Sequence, residues 1–292
     1  MPLKLTGQEK DLGGGLKVTR LLPAFERRTV GPFVFLDHFG PMDFEPGMNV
    51  DVRPHPHIGL ATVTYLFEGA LMHRDSLGSV QRIEPGAINW MNAGRGIVHS
   101  ERTPPELRSV RHRMHGIQLW VGLPQALEES DPGFAHTPAA PLAPFAAQDA
   151  EVRLLVGEAF GRRSPVKSAS PTVFLALRLR ANKSFVLPAL CAELAVYPID
   201  CGITIDGASL GVHTMAVLDA GQSCRLEANE DCTVVVIGGA PLDGPRYVVW
   251  NFVSSSKSRL QRAADDWNLQ RFGKVPGETE FIPLPDNLPR SL

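Results

Sequence analysis

Short runs of β-branched and aromatic residues, each closed by a glycine or proline turn, recur along this chain and constrain its fold more than any other feature. The first half contains GPFVFLDHFG, ATVTYLFEGA, QRIEPGAINWMNAGRG and HGIQLWVGLP; the second contains TVFLALRLRA, AELAVYPIDCGITIDG, HTMAVLDAGQSCRLEA and CTVVVIGGAP. Runs of this length and composition suit buried strands. The 27 glycines and 25 prolines of the 292-residue chain have no place in helix interiors, where glycine costs backbone entropy and proline removes a hydrogen bond. Helical bundles and coiled coils are therefore excluded, and the expected class is all-β.

A change of composition divides the chain. Asp131 to Ala150 reads DPGFAHTPAAPLAPFAAQDA, rich in proline and alanine and almost free of β-branched residues. The expected organisation is a domain over 1–135, a linker over 136–150 and a second domain over 151–292, each half the size of a small β-barrel. One helix is predicted, over about 256–271: Ser254, Ser255 and Ser256 offer capping hydroxyls, and Leu260, Ala264 and Trp267 share a face that suits packing on a barrel wall.

Charge excludes some partners. Lys plus Arg number 29 against 31 for Asp plus Glu, and a net charge of −2 gives no general attraction for nucleic acid or anionic membrane. No apolar run is long enough to span a bilayer, and MPLKLTGQEKDLGGG lacks the apolar region of a secretory signal, so a cytoplasmic protein is expected. The cysteines, Cys191, Cys201, Cys224 and Cys232, form no CxxC pair; they are expected to be free, buried and small, with neither a disulfide framework nor a zinc knuckle.

Chemistry is concentrated in two pairs. His55 and His57, in VRPHPHIGLATVTYL, stand two apart, so on an extended strand both imidazoles point to one side. His99 and Glu101, in RGIVHSERT, repeat that spacing. Three imidazoles and one carboxylate make a mixed N/O donor set suited to a divalent transition ion such as Fe(II), and the lack of thiolate disfavours structural zinc. Four such ligands leave two positions open on an octahedral ion, as needed to bring O2 and a chelating substrate together.

The segments HPHIGLATVTYL, AGRGIVHSE, HGIQLWVGLP and WNFVSSSKSRLQRAADDW closely resemble the pirin family, a branch of the cupins, in the family's order and over nearly the whole chain. The resemblance implies two tandem cupin β-barrels, a bicupin, with a metal, usually iron, bound in the first barrel by His55, His57, His99 and Glu101. Fe(II) is the expected ion, with Mn, Co, Ni and Cu as alternatives. It further implies quercetin 2,3-dioxygenase activity on a flavonol and O2, with Glu101 as general base. The alternative is a non-enzymatic, redox-sensitive regulator that binds a transcription factor or metabolic enzyme. Many pirins carry Arg and Glu where this chain has Ile58 and Ala61, so charge near the pocket mouth differs, although neither position is a ligand.

A weak internal repeat supports duplication. Gly69 and Gly86 in the first half match Gly202 and Gly221 in the second at spacings of 17 and 19 residues. That register equates the four ligand positions with Pro188, Leu190, Val234 and Val236, none able to hold a metal, so the second barrel should be apolar inside. Gln118 and Trp120 share one strand face and His115 takes the other; packing or substrate contact fits the first two. His38, Phe39, Met42 and Phe44 could line a pocket mouth or pack a loop. Asp37, His73, Arg95 and His213 read as turn or surface residues, and His112 with Arg113 as a solvated loop.

Overall fold

The computed structural model describes residues 2–13 and 15–286; the expected second domain runs beyond them to 292. The described residues form antiparallel strands, with one α-helix near the end. No helix is long and apolar enough to cross a membrane among the described residues.

Two compact units form, and they are not the two linear halves. The His-bearing unit comprises residues 11–17, 39–136 and 242–292, and the apolar unit 1–10, 18–38 and 137–241. The expected boundaries are corrected accordingly: each barrel takes a segment from the far end of the chain, which no local change of composition discloses. Within the expected linker, Phe145–Ala147 is an edge strand paired with Ala150–Val156 of the apolar unit.

In the His-bearing unit a four-stranded sheet has the order Asp51–His57, Ile97–Arg102, Leu71–Asp75, Val80–Ile83. The larger sheet brings Ile88–Asn92, Leu60–Glu68 and His112–Gly122 side by side. Period-two alternation puts Thr62, Thr64 and Leu66 on one face of Leu60–Glu68, opposite Trp120, Gln118 and Gly116 of its neighbour. Between the strands Asp51–His57 and Leu60–Glu68 the chain turns at Gly59, with φ +66°. A Cβ there would run into the Val253 carbonyl, so the turn requires glycine.

The helix spans Lys257–Asn268, and its N-cap Ser256 accepts from the Arg259 N–H at 3.3 Å. Leu260, Ala263, Ala264 and Trp267 are buried against Ile58, Val98 and Phe252. The predicted apolar face is therefore correct, but its wall is that of the His-bearing barrel. Burying each of the larger side chains contributes roughly 1.5–3 kcal/mol.

The apolar unit repeats the plan with a seven-stranded sheet and a four-stranded one, the latter in the order Lys183–Leu187, Cys224–Ala228, Ile203–Ile205, Ala208–Leu210. Leu175, Val196, Val234 and Val236 from the large sheet and Phe185, Leu187, Leu226 and Ala228 from the small one share a core. Cys201 and Cys232 are disulfide-paired, with Cα atoms 5.6 Å apart, which corrects the expectation of four free thiols. Cys232 opens the strand Cys232–Gly239, and Cys201 lies in the bend just after its neighbour Glu193–Pro198, so strand pairing brings together two residues whose linear spacing gives no hint. Cys191 and Cys224 are free.

The topology also corrects the internal register. In the small sheets, His55 faces His99 as Phe185 faces Leu226. The expected ligand positions thus correspond to Phe185, Leu187, Leu226 and Ala228, not to Pro188, Leu190, Val234 and Val236. Gly221 lies in the turn before Cys224–Ala228, the counterpart of Gly94 and Gly96 and not of Gly86. The interior is apolar as expected, at different residues.

Candidate metal centre

The strand Asp51–His57 pairs with Ile97–Arg102 so that His55 lies directly across from His99, and His57 across from Ile97. The ring centroids of His55, His57 and His99 are 4.4–5.1 Å apart. One ring nitrogen from each lies within 4.8 Å of the others. The two spacings that suggested shared faces thus bring three imidazoles together.

Hydrogen bonding decides which nitrogens are available. His55 Nδ1 is 2.9 Å from the Arg53 carbonyl, and His57 Nδ1 is 3.0 Å from that of Asn251. A carbonyl only accepts, so both Nδ1 atoms carry the proton and both Nε2 lone pairs are free. His99 Nε2 is buried and has no hydrogen-bond partner among the described residues. Three bare nitrogens converging in a buried space fit a metal ion, which would relieve the cost of leaving them unpaired. Burial lowers the His55 pKa to about 4, partly offset by the Arg53 carbonyl, and pushes His57 and His99 well below the usual histidine range. All three imidazoles are neutral at pH 7, the form that ligates.

Glu101 stands apart from this cluster. The pairing with Asp51–His57 shifts between His99 and Glu101, which faces Val52. One extra residue on the partner strand displaces the carboxylate along the sheet. Its Oε1 lies 3.3 Å from Thr64 Oγ1, which is also 2.9 Å from Gln118 Oε1. One hydroxyl cannot donate to both; turning the Gln118 amide so that it donates to Thr64 frees the hydroxyl for Glu101. Burial pushes the Glu101 carboxyl up, partly offset by His73 and by the Thr64 hydroxyl. Trp120 contacts His57 edge-on at 5.1 Å, so Gln118 and Trp120 both face the site.

His73, read from the sequence as a turn or surface residue, is buried on the strand beside His99, with the two Nδ1 atoms 3.4 Å apart. Its two-residue spacing to Asp75 repeats that of His55 to His57 and of His99 to Glu101. His112, expected in a solvated loop, is buried and stacked on Phe44. His115 packs on Phe67, away from the centre. Asp37 pairs with Arg20, and His38 bonds Tyr197, both within the apolar unit, so they do not join this site. Arg95 pairs with Asp131 at the surface, and His213 occupies a left-handed turn at φ +60°, both as expected.

The pirin model matches residues 15–121, and the model of the pirin C-terminal cupin domain matches residues 174–273. The chain belongs to the pirin family. A pirin-like protein of Caulobacter vibrioides is 46% identical to this pirin, covering 97% of this chain and 99% of that one. The crystal structure of a quercetin 2,3-dioxygenase from Acinetobacter baumannii superposes with a TM-score of 0.90 at 35% identity, covering 98% of this chain and 96% of that one. A bacterial pirin of Escherichia coli solved in complex with nickel(II) shares the fold at a TM-score of 0.65 and 19% identity, over 83% of this chain and all of that one. The two units of this pirin are cupin barrels in tandem, with a short C-terminal helix, as the resemblance implied.

Proposed function

We propose that this pirin is a metal-dependent dioxygenase that opens the central ring of quercetin-type flavonols with O2 and releases carbon monoxide. The observation that carries the proposal is the trio of bare imidazole nitrogens beside a half-buried carboxylate, in a chain 35% identical to a structure named as a quercetin 2,3-dioxygenase. His55, His57 and His99 would hold the ion, Fe(II) being the member of the divalent set most suited to O2 chemistry, with the Glu101 carboxylate nearby. The bound ion supplies Lewis acidity toward the flavonol hydroxyl and carbonyl oxygens and a meeting point for O2.

The remaining roles belong to the chain. Glu101, its carboxyl held high by burial, takes the proton of the flavonol 3-hydroxyl as general base. Thr64 orients Glu101, and Gln118 orients Thr64. The Trp120 indole forms an apolar wall beside His57, a surface that suits a planar aromatic ligand.

The experiment is O2 consumption and carbon monoxide release with quercetin, using protein loaded anaerobically with Fe(II). One carbon monoxide per O2, at a rate well above free iron and lowered about a hundredfold in Glu101→Gln, is the expected result. No turnover above free iron at any metal loading overturns the enzyme reading and leaves the regulatory alternative.

A further inference from the structure

We propose that Asp75 and His73 form a relay behind His99 that fixes which of its nitrogens is bare, and so prepares it as a metal ligand. The inference rests on the metal reading above but concerns residues outside the ligand set.

The proton positions follow from what each group is able to do. Asp75 is completely buried, and its Oδ1 accepts the backbone N–H groups of Leu77 at 2.9 Å and Ser79 at 3.0 Å. Burial pushes its carboxyl up, but the hydrogen bonds from His73 and Ser79 outweigh this and hold it below the usual carboxylate range. An ionised carboxylate only accepts, so His73 Nε2, 3.2 Å from Asp75 Oδ2, carries a hydrogen. With its hydrogen on Nε2, the His73 ring presents Nδ1 as an acceptor. The group facing it at 3.4 Å is His99 Nδ1, which therefore donates. His99 Nε2 is left without a proton, and this is the buried atom that lacks a partner among the described residues.

Two features keep the relay in place. Strand pairing sets Asp75 opposite His99 and His73 opposite Glu101, so the register delivers both groups to the back of the site. Phe134 stacks on the His73 ring at 4.3 Å with an interplanar angle of 11°, which restrains its plane. His55 and His57 obtain the same ordering from backbone carbonyls. Among the described residues, His99 alone of the three is connected to a carboxylate, through His73, which makes its free nitrogen a stronger donor.

The test uses cobalt(II) as probe, titrated into metal-free full-length wild type, Asp75→Asn and His57→Ala. Asparagine retains an acceptor for the turn but can present an N–H to His73, reversing both tautomers and placing a proton on His99 Nε2. Asp75→Asn is expected to weaken cobalt binding by about 10–100-fold. Nitrogen-15 NMR of the metal-free wild type should show His99 protonated at Nδ1 and bare at Nε2, a signature that a merely structural role would not produce. A His99 protonated at Nε2 in the wild type overturns the relay, as does a folded Asp75→Asn that binds cobalt as tightly as wild type. If Asp75→Asn does not fold, the wild-type spectrum decides by itself. His57→Ala separates the two readings: wild-type cobalt affinity in that variant would remove the metal site itself.

Discussion

The two barrels share one plan and differ in what fills the middle of the small sheet. Where one pairs His55 with His99, the other pairs Phe185 with Leu226; where one has His57, the other has Leu187. In the apolar barrel these positions join a continuous core whose members are almost wholly buried. In the His-bearing barrel they leave three bare nitrogens. The same backbone thus carries either a packed apolar pair or, in the proposed reading, a ligating imidazole pair. A buried imidazole cluster is costly without an ion, whereas a buried Phe–Leu pair stabilises the fold directly.

The largest expected effect tests the packing side. Phe185→Ala should cost about 3–5 kcal/mol of stability in a denaturant titration, through lost transfer energy and a cavity. Metal content should not change, and a metal loss equal to that of a ligand variant would mean that the barrels are not separable in this way. On the ligation side, Glu101→Gln should lower quercetin turnover about a hundredfold, the lower end for loss of a general base. Thermal stability should be retained, since the amide preserves the shape beside Thr64.

Acid should act through the His-bearing barrel. The folded pKa of His55 is near 4, below the unfolded value of 6.5, so between those values the unfolded chain binds more protons. This contribution to the stability of metal-free protein is complete above pH 6.5 and declines as pH falls toward 4. His57 and His99 act in the same sense. Glu101, raised by burial, acts in the opposite sense, its penalty growing as pH rises through its folded value. Melting temperatures of metal-free wild type should therefore fall across that window, and His55→Phe should flatten the fall; an unchanged slope would remove the burial argument. The smallest effect concerns the helix on the outer wall of the His-bearing barrel. Ser256→Ala should cost about 1 kcal/mol by removing the cap, measured by denaturant midpoint, with metal affinity unaltered.

Local pattern carried much of this into the sequence. Alternation placed His55 with His57 on one face, and a helical stripe picked out Leu260, Ala264 and Trp267. Strand pairing carried the rest. His73 and Asp75 look like ordinary polar residues of a short strand until His99 is laid beside them. The acceptor for His57 is a backbone carbonyl 194 residues away, at Asn251, which no side-chain motif marks. The displacement of Glu101 depends on a single shift in pairing. The exchange of terminal segments between barrels and the Cys201–Cys232 pair likewise depend on contacts between distant stretches. Gly221 misled the internal register because equivalent turns in the two barrels need not place glycine at equivalent points.

The most direct test is metal stoichiometry. Full-length protein, stripped and reloaded with a single divalent ion, should bind one ion per chain in the wild type and in Phe185→Ala, and none in His99→Ala. Equal metal in wild type and His99→Ala, or loss of the ion in folded Phe185→Ala, would contradict the assignment of ligation to one barrel and packing to the other.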